Sequence, residues 1–408
     1  MGKIEISGGA ALFGEVCVGG SKNAALPIIF ATVITHGVSR LENVPDISDV
    51  NDCLRIIEAF GAIVKRDGDA LLIDTRSLTY RTPPVDAVCR IRASTYLIGA
   101  CLSRFGFAEL MTYGGCSFSA RPIDLHLTLA TLFGAKSVKN TLVCMGLRPA
   151  CAVLTRVSVG ATVNAILLAA ATRGTSRITP YAKEPHVFAL IDYLRSAGAE
   201  IYLDEKTITV NGARLHGGYS RIVGDMIEAG TYLAAGIVSG GEVTVLGVPP
   251  SHLASFLLPL ENAGVSVRCE GEKISAHGLP KRQIHITTGP YPDFPTDLQP
   301  IAAPIMALGE GGSICDTVWA ERFGYLSSLS DFGIIFDSGG GVAKIKKSAL
   351  KPADSSAPDL RGGAACVLAA LGVCGVSHID NSEIIYRGYE RLTEKLSHLG
   401  ARIFEQES

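Results

Sequence analysis

The sequence has almost no net charge, no paired cysteines at metal or redox spacing, and no apolar run long enough to cross a bilayer. Lysine plus arginine nearly balance aspartate plus glutamate, leaving a formal net charge of −2. A nucleic-acid binder would carry a basic excess, so no nucleic-acid partner is expected. Eleven cysteines are present, but none forms a Cys-x-x-Cys pair, and Cys101, Cys151, Cys366 and Cys374 lie in apolar context. An odd, scattered set predicts free thiols in a reducing compartment, not a disulfide frame or a zinc site. Apolar runs such as Ile166 to Ala171 are too short for a membrane span. No charged start followed by an apolar run marks a secretory signal. These absences predict a cytoplasmic protein without a membrane partner. Gly14-x-x-x-x-Gly19 is followed by Gly20-Ser21, where a P-loop needs lysine and a hydroxyl residue, and no Gly-x-Gly-x-x-Gly follows a strand pattern. His126 and His186 lack partners at metal spacing, so each reads as a hydrogen-bonding residue and no metal is expected.

What is present is a repeat. With 408 residues, 47% of them hydrophobic, the chain exceeds one typical core, and two domains are expected. Six segments begin with a small or charged motif and continue into an apolar, alanine-rich helix. They start at Lys22-Asn23, Arg92-Ala93-Ser94, Ser158-Val159-Gly160, Glu228-Ala229-Gly230, Asp297-Leu298-Gln299 and Arg361-Gly362-Gly363. A second, amphipathic helix follows each and ends in glycine: Gly61, Gly134, Gly198, Gly264, Gly333 and Gly400, at steps of 64 to 73 residues. A near-constant step along the whole chain signals duplication of one supersecondary unit, and glycine past a helix end suits a left-handed cap.

The third copy reads most clearly. Val163 to Ala171 is apolar all round and so predicts a buried helix. Thr175 to Thr179 predicts a strand, Pro185 opens the next helix, and Glu200 to Leu203 with Thr207 to Val210 alternate like a hairpin. Each unit is therefore helix, strand, helix, strand, strand, an α/β fold with six apolar helices inside and sheets outside. Three units and three give two domains, with a seam at Asn211 to Gly224 and a second crossing at Gly19-Gly20-Ser21.

Chemistry gathers in Tyr113-Gly114-Gly115-Cys116 and the run Arg121-Pro122-Ile123-Asp124-Leu125-His126, a glycine-rich loop with one cysteine leading into an apolar helix. A nearby cation stabilises a thiolate. Lys22, Arg92, Arg121, Arg322, Arg361 and Arg387 sit near the starts of the apolar helices or in adjoining loops. Any one of them is most simply a surface ion pair. Their recurrence at equivalent repeat positions favours a site for a ligand bearing phosphate and carboxylate groups.

Six motifs together give a resemblance. They are Gly20-Ser21-Lys22-Asn23-Ala24-Ala25-Leu26-Pro27, Gly114-Gly115-Cys116, Arg121-Pro122-x-Asp124-Leu125-His126, Ser158-Val159-Gly160-Ala161-Thr162, Phe294-Pro295-Thr296-Asp297-Leu298-Gln299 and Arg387-Gly388-Tyr389-Glu390-Arg391-Leu392. Over nearly its whole length the sequence resembles the enolpyruvyl transferases, and within them the UDP-N-acetylglucosamine 1-carboxyvinyltransferases. The Lys22-Asn23 pair and the cysteine loop separate it from the 5-enolpyruvylshikimate-3-phosphate synthase branch.

The resemblance implies a two-domain inside-out α/β prism, with residues 21–221 as one domain, 1–20 plus 222–408 as the other, and the active site in the cleft between them. It implies transfer of the enolpyruvyl group of phosphoenolpyruvate to the 3-hydroxyl of a UDP-sugar by addition and elimination, without metal or cofactor, in peptidoglycan precursor synthesis. Cys116 would be the general acid and the target of fosfomycin, and Asp297 the base. Lys22, Arg121 and Arg387 would hold phosphate, with Arg322 and Arg361 at the carboxylate. Arg121, Pro122, Asp124, Ser158, Val159 and Gly160 would contact the uridine nucleotide, and Asn23 and Asp297 the sugar. Arg92, His126, Arg156, Val318 and Trp319 complete the expected substrate-binding set.

The sequence departs from the family pattern at Arg156 (usually lysine), His186, Met226, Trp319, Gly362-Gly363 and Tyr386. Three readings follow: the peptidoglycan enzyme, an enolpyruvyl transferase with another uridine acceptor in secondary metabolism, and a non-catalytic nucleotide-binding paralogue. Retention of Cys116, Asp297, Lys22 and Arg387 weighs against the third.

Overall fold

A computed structural model describes residues 2–114 and 122–406. Cys116 and Arg121 lie outside the described residues. The chain divides into two compact units, a central one of Gly20–Val223 and a terminal one of Met1–Gly19 with Gly224–Ser408.

Each apolar segment is a helix. In the central unit these are Lys22–Thr32, Leu97–Phe105 and Val159–Ala171, and in the terminal unit Met226–Ser239, Gln299–Leu308 and Leu360–Leu371. They are buried almost throughout because a helix apolar on every side has no face to give to water. The three of the terminal unit all touch one another, and in the central unit Leu97–Phe105 packs on both other helices. Close approach demands small residues. A Cβ on Gly99 would come within 2.6 Å of Asn164 Oδ1. The largest buried aliphatic side chains in these helices, such as Ile166 and Ile301, contribute about 1.5–3 kcal/mol each by leaving water.

The six glycines that close the second helices all have positive φ, from 86° at Gly333 to 105° at Gly134. A side chain would be strained at these positions, which is why the sequence repeats glycine there.

The sheets share one plan. The strand after each core helix pairs antiparallel with the unit's last strand, which pairs antiparallel with the strand between them in sequence. In the third unit Gly174–Thr179 pairs with Ile208–Gly212, and that strand with Glu200–Leu203. In the sixth unit the last position is filled by the start of the chain: Lys3–Gly8 lies between Gly375–Asp380 and Arg402–Gln406. Strand burial alternates, as in Glu242–Leu246 and Ile284–Thr288, so one face packs on the helices and the other faces water.

The sheets contain a further strand that the sequence pattern does not predict. Five sheets carry a short parallel strand beside the first: Cys151–Val153, Tyr219–Arg221, Phe13–Cys17, Ile284–Thr288 and Asp354–Ser356. Each comes from the unit preceding in the cycle, so each group of three units closes on itself. The second sheet has three strands among the described residues. The chain before it contains Pro83-Pro84, which offer no N–H for pairing, and it packs through Tyr80, whose ring centre lies 4.5 Å from that of Phe107.

The four cysteines in apolar sequence context are all free thiols; Cys101 and Cys366 are buried, and Cys151 and Cys374 are exposed. Cys151 begins a three-residue strand with solvent on both of its outward positions.

Candidate functional site

In the central unit, Lys22 and Asn23 open the first core helix, whose N-cap is Ser21. Lys22 Nζ lies 2.6 Å from Oδ2 of Asp49, a buried residue in the first turn of the helix Ser48–Ala59. A carboxylate is favoured at that end of a helix. The same core helix packs against Arg92–Tyr96, the single 3-10 turn that introduces the second core helix.

Arg92 Nη2 donates to the carbonyl of Pro122 at 3.4 Å. Two residues on, Asp124 starts the helix Asp124–Leu132 and takes both oxygens to Arg156 Nη2, at 2.9 and 3.1 Å. Both side chains are about half exposed, so the pair adds little stability and is available to a ligand. The Arg156 guanidinium holds the Asp124 carboxyl below its ordinary pKa. Ser158 caps the third core helix, its Oγ accepting from Ala161 N at 3.3 Å.

His126 is buried beside Gly160, where a Cβ would meet its ring at 3.1 Å. Asn164, unnoticed in the sequence, ties this region together. Its Oδ1 accepts from Gly99 N at 2.7 Å, and its Nδ2 donates to Thr95 O at 3.1 Å and faces His126 Nδ1 at 2.7 Å. Because Oδ1 already serves Gly99, an N–H must point at Nδ1, and the imidazole is neutral with its proton on Nε2. Burial, helped by the Arg92 charge, lowers the His126 pKa to about 4. The one sequence signal was a buried asparagine inside an otherwise apolar helix. The structure thus brings Arg92, Pro122, Asp124, His126, Arg156, Ser158, Val159 and Gly160 into one region.

In the terminal unit, Asp297 lies in the 3-10 turn Thr296–Leu298 that leads into the core helix Gln299–Leu308. Its Oδ1 is 2.6 Å from Arg322 Nη1, and its Oδ2 is 3.3 Å from Arg361 Nη2 and 3.4 Å from Arg361 Nε. Both arginine side chains are nearly inaccessible, whereas that of Asp297 keeps 29% of its surface open. For each arginine burial works against the charge, and Asp297 with, for Arg361, the Tyr389 hydroxyl outweighs it, so both pKa values stand above the ordinary arginine value. Arg361 lies over the Tyr389 ring at 5.2 Å. Its Nη1 makes no hydrogen bond among the described residues, a buried donor left for an anion.

Val318 and Trp319 lie in the turn between Asp316 and Arg322, Val318 exposed and Trp319 half-buried. Arg387, half-buried, ends the 3-10 segment Ser382–Arg387, which packs on the sixth core helix. Tyr386 in that segment bonds Glu405 on the last strand, and Met226 packs against the core, so these two departures from the family pattern have structural work. His186 lies in the helix Pro185–Ser196 and is buried. Among the described residues no helix is long and apolar enough to cross a membrane.

These features describe an enolpyruvyl transferase, and the chain belongs to the EPSP synthase (3-phosphoshikimate 1-carboxyvinyltransferase) family, whose profile matches residues 6–396. Within that family its relatives include UDP-N-acetylglucosamine 1-carboxyvinyltransferase 1 of Streptococcus agalactiae, 38% identical over 414 aligned positions and covering 99% of each chain. UDP-N-acetylglucosamine 1-carboxyvinyltransferase 2 of Staphylococcus epidermidis is also 38% identical, covering 99% of this chain and 98% of its own. Among solved structures, the enolpyruvyl transferase NikO from Streptomyces tendae superposes with a TM-score of 0.88 at 27% identity, covering 100% of this chain and 99% of its own. An EPSP synthase from Acinetobacter baumannii shares the fold, with a TM-score of 0.72 at 17% identity and full coverage of both chains.

Proposed function

We propose that the chain transfers the enolpyruvyl group of phosphoenolpyruvate to the 3-hydroxyl of UDP-N-acetylglucosamine, releasing phosphate in peptidoglycan precursor synthesis in the cytoplasm. The observation that carries this reading is Asp297, a partly open carboxylate held between two buried arginines at the start of a core helix. A base must be ionised and aimed, and the two cations supply both conditions.

In this reading Cys116 delivers a proton to the methylene carbon while the sugar hydroxyl attacks the carbon bearing phosphate. Asp297 takes the hydroxyl proton. The tetrahedral ketal then expels phosphate and returns a proton from the new methyl group to the Cys116 thiolate, forming the enol ether. Lys22, Arg121 and Arg387 hold the phosphate. Arg361, with its unmet Nη1 donor, and Arg322 face the carboxylate, and fixed cations stabilise charge as it develops. Arg92, Pro122, Asp124, His126, Arg156, Ser158, Val159 and Gly160 form or support the uridine-nucleotide site. Asn23, Val318 and Trp319 meet the sugar.

The changed residues His186 and Trp319 are the ground for a second reading, another uridine nucleotide as acceptor. A phosphate-release assay with phosphoenolpyruvate and a panel of uridine nucleotides separates the two. Turnover with UDP-N-acetylglucosamine supports the first; turnover only with a different uridine compound selects the second.

A further inference from the structure

Asp316 is a buried carboxylate, absent from every expected role, at the end of the strand Gly312–Asp316. It accepts five hydrogen bonds. Oδ1 takes Thr288 Oγ1 at 2.7 Å, Val318 N at 2.9 Å and Trp319 N at 2.8 Å. Oδ2 takes Thr296 Oγ1 at 2.6 Å and Gln299 Nε2 at 3.4 Å. The strand register sets Thr288 directly beside it, and the Thr317 hydroxyl donates back to Thr288 O at 2.6 Å.

The two oxygens reach different parts of the proposed site. Oδ1 fixes the turn that presents Val318 and Trp319. Oδ2 fixes Thr296, whose hydroxyl also accepts from Arg322 Nη1 at 3.1 Å, the nitrogen that bonds Asp297. Gln299 adds a second hold, donating to Arg322 O at 2.9 Å while its Oε1 accepts from Tyr325 at 2.7 Å. The Thr296 hydroxyl can donate once, and Asp316 takes that proton, so its lone pair is turned to the arginine.

From this geometry we infer that Asp316 is a positioning residue, acting through Thr296 on the Asp297–Arg322 pair and through Val318 and Trp319 on acceptor binding. The inference rests on the proposed roles of those residues. It makes the two effects separable. Thr296→Val keeps the shape and removes the hydroxyl, and it should lower kcat about ten- to hundredfold with little change in acceptor KM. Thr296→Ser restores the hydroxyl and should recover turnover to within about threefold of wild type. Asp316→Asn should lower kcat similarly and also raise the acceptor KM about tenfold, since the turn amides lose an ionised acceptor.

The experiment is steady-state kinetics of the full-length variants beside Asp297→Asn, with thermal midpoints measured in parallel. Thr296 as a packing residue would give the opposite order, valine near wild type and serine impaired, and that order overturns the assignment. So does near wild-type kcat for Thr296→Val while Asp297→Asn is inactive, which leaves the reaction itself standing. Full turnover by Asp297→Asn overturns the underlying reading instead. The Thr296 pair carries the test even where Asp316→Asn does not fold.

Discussion

The Lys22 ammonium is held 2.6 Å from the Asp49 carboxylate, with only 12% and 3% of the two side chains open to solvent. A fixed, largely buried cation is set for an anion because it pays little ordering entropy on binding. Asp49→Asn should raise the KM for phosphoenolpyruvate about tenfold or more, the worth of a hydrogen bond to a charged group, while leaving UDP affinity unchanged by calorimetry. Lys22→Met strands a buried carboxylate and should lower unfolding free energy by about 3 kcal/mol, part of which the double variant recovers in urea melts.

His126 predicts a pH dependence of stability. Its folded pKa of about 4 lies below the 6.5 of a free imidazole. As pH falls, the unfolded chain takes the proton first. The stability due to the neutral ring is therefore complete above about pH 6.5 and is lost between there and about pH 4. The full loss is about 3 kcal/mol. In urea melts, the stability difference between wild type and His126→Gln should shrink by about that amount from pH 7 to pH 4. A constant difference would show that the ring titrates normally.

Cys116 should be alkylated by fosfomycin, faster with UDP-N-acetylglucosamine present because acceptor favours the reactive state. Among the described residues, the thiols of Cys17, Cys89, Cys151, Cys269 and Cys374 are exposed, so the adduct must be mapped by peptide mass. Cys116→Asp should resist the epoxide and keep turnover, since a carboxylic acid can also deliver a proton. An adduct confined to the other five would remove Cys116 from the mechanism.

The architecture was legible where chemistry repeats. Six glycines at a steady step announced six left-handed caps, and the all-apolar run of the third unit announced a buried helix. The parallel fourth strands were not legible, because a three-residue strand such as Cys151–Val153 is too short for its alternation to stand out. The cations at helix starts showed themselves by type and position. Their partners did not: Asp49 lies 27 residues from Lys22, and Asp316 gathers donors from Thr288 to Trp319. Such contacts are set by the fold, and no local pattern encodes them. Asn164 alone left a trace, a polar side chain where the helix has no polar face.

The chain, incubated with phosphoenolpyruvate and UDP-N-acetylglucosamine, should yield an acceptor heavier by one carboxyvinyl group. Mass spectrometry should detect it, and proton magnetic resonance should place the new ether at the sugar 3-position, with one phosphate released per product. An unmodified acceptor under saturating substrates, from enzyme shown by calorimetry to bind UDP, would contradict the proposed reaction on this acceptor.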